Sequence, residues 1–197
     1  MLNVINTVEI ALLVVLPLVL YYQQCRLSVK RYAIYLILLY SIWILTYAFL
    51  HEVCHLLGSW MAGASIRNYQ LFPAFLKGDF KTAYVDSSFE NGIQTLVSTL
   101  MPYLRDVVFL VMGYYLFRKR WFTNRFLEGL LLMLLVFSPT YDIVSNYSGF
   151  IFASYGDFFT LSMWAGTFVA YAVGLLLTLA SFWAIIRVVN GYKTLET

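Results

Sequence analysis

Charge is the scarcest property of this chain. Only 12% of its 197 residues are Asp, Glu, Lys or Arg, about half the share of roughly 25% that a soluble domain carries. A surface that poor in charge cannot face water throughout. With 61% hydrophobic residues, including 16 Phe and 16 Tyr, much of it is expected to face lipid. Cysteine is equally scarce: Cys25 and Cys54 lie far apart, form no Cys-x-x-Cys pair and offer no disulfide framework. There are only two histidines, so an imidazole-based metal site must take its third protein ligand from a carboxylate or a thiolate. No basic residue precedes Glu9 and no small-residue cleavage site follows, so the first apolar stretch reads as a retained span, not a removed signal. Internal repeats, low-complexity tracts and a second soluble domain are also missing. The net charge of +3 does not point to nucleic acid, because the basic residues gather at the ends of apolar runs.

What is present is a series of those runs. At about 20 apolar residues per crossing, the chain reads as an α-helical polytopic membrane protein. It forms one integral domain over 1–197, with about five transmembrane helices at 5–22, 32–61, 92–117, 126–152 and 158–189. Pro17 should kink the first span, Ser138-Pro139 should interrupt the fourth, and 154–157 should form a tight turn. Between spans two and three, 64–90 mixes β-branched and aromatic residues with turn formers. It predicts a short β-hairpin, with strands at 66–72 and 80–86 joined through 73–79. Trp60 and Trp121 stand near span ends as interface anchors. The turn after span one, the turn after span three and the tail hold three, four and two Lys/Arg, against Arg67, Lys77 and Lys81 on the other side. By the positive-inside rule the C-terminus is cytosolic, and the N-terminus and hairpin lie outside.

Late in the second span stands Leu50-His51-Glu52-Val53-Cys54-His55-Leu56-Leu57-Gly58. On a helix, His51 and His55 leave the same face one turn apart. Two neutral imidazoles so placed can hold one Zn2+, and Glu52 stands beside them as a general base for water. Asp142 leads as third ligand: it follows Pro139 in an apolar span, where an unpaired carboxylate is costly and a metal cation would offset the cost. Asp157, between spans four and five, is the second choice, with a solvated turn acid or helix cap as its plainer reading. Asp106 comes third, since Arg105 offers it an ordinary ion pair. Cys54 points to another helix face and reads as a packing residue. Asn146, one turn after Asp142, could bind a substrate backbone or simply join helices. The plainer reading of the whole set is a polar cluster that ties helices together without metal.

His51-Glu52-x-x-His55 followed by Gly63 resembles the site-2 protease family of intramembrane zinc metalloproteases. In that family a Gly commonly ends the motif helix. A strand-rich segment follows, then two spans, the second carrying an Asp ligand. Pro139-Thr140-Tyr141-Asp142-Ile143-Val144 occupies that place here, and with Gly156-Asp157 behind it the pattern looks closest to the small members without a PDZ domain. The likeness covers 32–157. It departs from the family at Ile143, where a Gly usually follows the Asp, and in sidedness, since the family places zinc towards the cytosol. The resemblance implies a zinc metalloprotease that cleaves membrane-embedded proteins or peptides, with His51, His55 and Asp142 on Zn2+ and Glu52 as general base. The hairpin could then hold an unwound substrate by adding it as a strand. Two other classes compete: a catalytically inactive membrane scaffold that binds client helices, and a metal-dependent lipid-modifying enzyme.

Overall fold

The structure is a computed structural model, and it describes residues 7–25, 27–73, 83–119 and 124–193. Arg26, Arg120, Trp121 and the hairpin connection 74–82, with its Lys77 and Lys81, lie outside the described residues. The elements in order are α1 (Thr7–Gln23), α2 (Val29–Met61), β1 (Ser65–Gln70), β2 (Tyr84–Ser88), α3 (Gly92–Lys119), α4 (Arg125–Ala153), α5 (Asp157–Ala165) and α6 (Thr167–Lys193). Four helices among the described residues are long and apolar enough to cross a membrane: α2, α3, α4 and the Thr167–Val188 part of α6. The first expected span is present as the shorter apolar helix α1.

Two sequence expectations change. Pro139 does not interrupt its span. Ahead of it the helix opens into a π turn, Met133–Phe137, with the Ser138 N–H bonded to the Met133 carbonyl. A proline has no N–H and its ring crowds the carbonyl four residues back. Widening the preceding turn by one residue accommodates both, and the helix continues through. Pro17 is handled the same way, behind the π turn Ala11–Val15. The second change is the last span, which divides at Gly166 into α5 and α6. Gly166 has φ +94°, a backbone state that only glycine adopts without strain. Hydropathy continues across the break, so composition could not show it.

α4 is the central helix. Of its most apolar stretch 72% is buried, against 11% for α2, so protein surrounds α4 while α2 turns most of its surface outward. α1 lies across α4 and is tied to it at both ends: Tyr21 Oη donates to Glu128 Oε2, and Ser148 Oγ to Glu9 Oε1, each at 2.5 Å. α5 packs under the bundle through Phe158 and Leu161, both buried.

α2 is closed just beyond its end by Gly63, with φ +73°. The Ala64 N–H reaches the Ser59 carbonyl at 2.9 Å, closing the helix with a left-handed glycine cap. The chain then enters the hairpin. β1 and β2 pair antiparallel from Ser65↔Ser88 to Gln70↔Tyr84, with an irregularity between Ile66 and Asn68. The first strand thus lies close to its expected place; of the expected second strand, 80–82 lie outside the described residues, and β2 runs from Tyr84 to Ser88. The hairpin leans on α2 through Ser87 Oγ donating to Ser59 Oγ at 3.0 Å, and through Phe72 stacked on Phe49 at 4.6 Å between centroids.

Small residues let α2 and α3 approach closely. A Cβ on Gly58 would stand 2.9 Å from the Ser98 Cα and 3.0 Å from the Val97 carbonyl oxygen. Beside it Ser59 Oγ and Ser98 Oγ share a hydrogen bond of 2.8 Å. Gly58→Ala must therefore push backbone away from backbone. We expect it to cost about 1–3 kcal/mol, seen as a lower unfolding midpoint in detergent.

Candidate metal centre

Four helices supply the centre. α2 presents His51, Glu52 and His55, α3 presents Tyr103, Arg105 and the Ser98 carbonyl, α4 presents Asp142 and Asn146, and α5 starts with Asp157. The left-handed Ser154 (φ 51°) and Gly156 (φ 88°) turn the chain sharply between α4 and α5. That turn brings Asp157, the first residue of α5, back against α2.

Each imidazole is held through Nδ1. His51 Nδ1 lies 2.8 Å from Asp142 Oδ2, and His55 Nδ1 lies 2.9 Å from the Ser98 carbonyl oxygen. Both partners only accept, so each Nδ1 carries a proton and donates it, and when the ring is neutral its lone pair lies on Nε2. Those lone pairs face each other. The two Nε2 atoms are 3.1 Å apart, and Asp157 Oδ2 stands 3.4 Å from that of His51 and 3.3 Å from that of His55. With both rings neutral, these three electron-pair donors have no hydrogen between them and repel unless a cation lies among them. Donors about 2.0–2.1 Å from a tetrahedral Zn2+ stand about 3.3 Å apart, so the donor set fits such an ion in both chemistry and spacing.

No protein-family model matches the chain, and no curated protein or solved structure does. The geometry of the site therefore carries the functional reading alone.

The structure reverses the order of the two acids. Among the described residues the group able to hold a metal is His51, His55 and Asp157. Asp142, the first choice from sequence, sits on the opposite nitrogen of His51. Its Oδ2 also accepts from Arg105 Nη2 at 2.5 Å, and its Oδ1 accepts from Tyr47 Oη at 2.9 Å and Asn146 Nδ2 at 3.0 Å. The cost of burying this carboxylate is thus met by a guanidinium and three further donors rather than by a metal. Arg105 bonds Asp106 Oδ1 as well, through Nη2 at 2.5 Å and Nε at 3.0 Å. When ionised, Glu52, Asp106, Asp142 and Asp157 outnumber Arg105, an excess of negative charge that favours a cation.

Tyr47, Ser98 and Tyr103 escaped the sequence reading. Tyr103 Oη donates to Asp157 Oδ2 at 2.9 Å and so aims the oxygen that faces the histidines. Tyr47 had a legible signal, because 47, 51 and 55 share one helix face. Ser98 acts mainly through its carbonyl and Tyr103 through the fold, and neither residue type announces that. Cys54 is buried and stands outside the donor group, as a packing residue does. Asn146 spends its amide N–H on Asp142 Oδ1 and on the Asp142 carbonyl, which leaves only its own carbonyl for another molecule.

The two acids should separate on substitution. With zinc supplied as the probe ion, Asp157→Asn is expected to abolish stoichiometric binding. Asp142→Asn should keep one zinc per chain with affinity lowered about 10–100-fold, the usual effect of losing the partner of a ligating histidine. Metal analysis with chelator competition reads both, and the opposite ranking would restore Asp142 as the ligand.

Proposed function

We propose that this protein is a membrane-embedded zinc metallopeptidase of the site-2 protease type, cleaving peptide bonds of membrane-spanning proteins or peptides. The observation that carries the reading is the convergence of two Nε2 lone pairs and one carboxylate oxygen, with both Nδ1 positions committed elsewhere. His51, His55 and Asp157 would hold the ion, leaving room for water or a carbonyl. Zinc, when bound, supplies Lewis acidity that acidifies water and polarises a peptide carbonyl.

The remaining work belongs to the chain. Asp142 and the Ser98 carbonyl fix the imidazole planes, and Tyr103 fixes the carboxylate. Glu52, next to His51 on α2 and lining the adjoining cavity with it, takes a proton from the attacking water and returns it to the leaving amine. The bond to be cleaved must first leave its helix, since a helical carbonyl is already bonded. Among the described residues β1 and β2 pair only with each other, so an unwound segment can add to an edge of the hairpin.

A scaffold without activity has no use for two locked imidazoles aimed at one carboxylate, nor for an acid at position 52. The bilayer and a membrane-spanning substrate are the partners this reading requires. Its orientation, with the C-terminus in the cytosol, rests on the basic-residue count.

Glu52→Gln supplies the decisive comparison. It should retain wild-type zinc and lose about 10²–10⁴-fold in cleavage of a single-span substrate. Equal cleavage by both proteins would remove the peptidase reading.

A further inference from the structure

A cavity of about 500 Å³ opens beside the metal centre, bounded by α1, α2 and α4, with His51 and Glu52 in its wall. Its floor is one face of α2. Tyr40, Trp43, Ile44, Tyr47, Ala48, His51 and Glu52 all line it, at the three- and four-residue spacing of a single helix face. From Tyr40 to Glu52 that face is about 18 Å long, enough for about five residues of extended peptide.

The floor is aromatic and continuous. Tyr40 packs on Trp43 at 5.7 Å between centroids, Trp43 on Tyr47 at 5.4 Å, and Tyr141 closes against both at 5.2 Å. Tyr47 then meets the His51 ring at 6.3 Å. The ladder therefore leads straight to the metal ligands. At its far end Tyr40 also lines a second, almost wholly apolar cavity of about 400 Å³, between α1 and α2 with Leu18 and Leu36 in its wall.

The walls opposite α2 are different. Thr7 from α1, Ser145 from α4 and Tyr155 from the turn after α4 bring hydroxyls to the same cavity, and Asn146 from α4 brings its side-chain carbonyl. Apolar floor and polar wall together select the occupant. An acyl chain fills apolar volume but offers nothing to hydroxyls and amides. An unwound peptide in an apolar setting needs both: a greasy surface for its side chains, and donors and acceptors for the backbone groups its helix no longer satisfies.

We propose that this cleft is the specificity site of the enzyme: it takes about five extended residues of a membrane-spanning peptide along α2 and selects large apolar side chains beside the cleaved bond. The proposal rests on the peptidase reading for the bond that is cleaved, but the cleft itself can be tested without turnover.

The kinetic arm uses full-length protein in detergent and single-span peptides that differ only beside the cleavage position, as Ala, Leu or Phe. The wild-type protein should prefer the Leu and Phe peptides to the Ala peptide by about tenfold or more in kcat/KM. Ala48→Leu narrows the cleft one turn before Glu52 and should shrink that preference. Ile44→Ala widens it and should favour Phe further, with zinc content unchanged in both. The same kcat/KM ratios among the peptides in all three proteins, with zinc retained, overturn the proposal and leave the peptidase reading intact.

The binding arm uses the Glu52→Gln protein with Cys25→Ser and Cys54→Ala. Under a mild added oxidant, a Ser145→Cys thiol should form disulfides with peptide cysteines across one short window of the span and not beyond it. That pattern, alongside a wild-type protein that hydrolyses none of the peptides, supports the peptide cleft and sinks the peptidase reading. Cross-linking at no position overturns the proposal. So does native mass spectrometry that finds a bound phospholipid which Ala48→Leu expels, since the cleft then belongs to an acyl chain.

Discussion

Charge buried in an apolar bundle has to be met by other buried groups, and most of this structure follows from how that is done. Asp142 is fully enclosed at the middle of the most buried helix. Alone it would be too costly to keep ionised there. Arg105 from α3, His51 and Tyr47 from α2 and Asn146 from α4 itself all turn towards it. That convergence draws three helices together. It also fixes which nitrogen of His51 is protonated, and so which nitrogen faces the metal site. The structural ion pair and the chemistry of the site share a single carboxylate.

Backbone irregularities put the donors in place. The π turn ahead of Pro139 adds a residue to one turn of α4 and rotates everything after it, including Asp142, Ser145 and Asn146. The left-handed residues 154 and 156 reverse the chain so that Asp157 points back at α2. Gly166 lets α5 stop after nine residues, so this helix need not extend straight from the site as part of a long span. The metal-facing atoms thus depend on three local departures from a regular helix, each with an identifiable residue behind it.

Sequence carried part of this plainly. His51 and His55 were legible because helix periodicity alone places them one turn apart, and Glu52 because it is their neighbour. The apolar runs marked the long helices, and the β-branched stretch with turn formers marked the hairpin. The two acids were harder to rank. Their cost in lipid argues that both need partners, but it does not distinguish a cation from a guanidinium. Arg105 lay 37 positions from Asp142 in the chain, and only packing of α3 on α4 joins them. Asp157 looked like a turn acid because the signal that makes it more, the pair of left-handed residues before it, is a matter of dihedral angles. Pro139 looked like a break because propensity counts the lost hydrogen bond but not the π turn that absorbs it.

The same geometry couples metal affinity to folding. The three converging donors repel one another when no cation lies between them, and the locked Nδ1 positions prevent the rings from turning away to relieve it. Turning His55 would break its bond to the Ser98 carbonyl, and that segment of α3 is pressed against Gly58 with no space for even a methyl group. Turning His51 would leave Asp142 with Arg105 but short of a donor. Relief therefore has to come from a bound cation, from a proton shared among the donors, or from partial separation of α2 from α3. A divalent ion removes the repulsion without moving any helix, so its binding free energy appears as stability of the α2–α3 contact. Within lipid, where helices gain little from the hydrophobic effect, a cation held there would make the site part of what keeps the bundle closed.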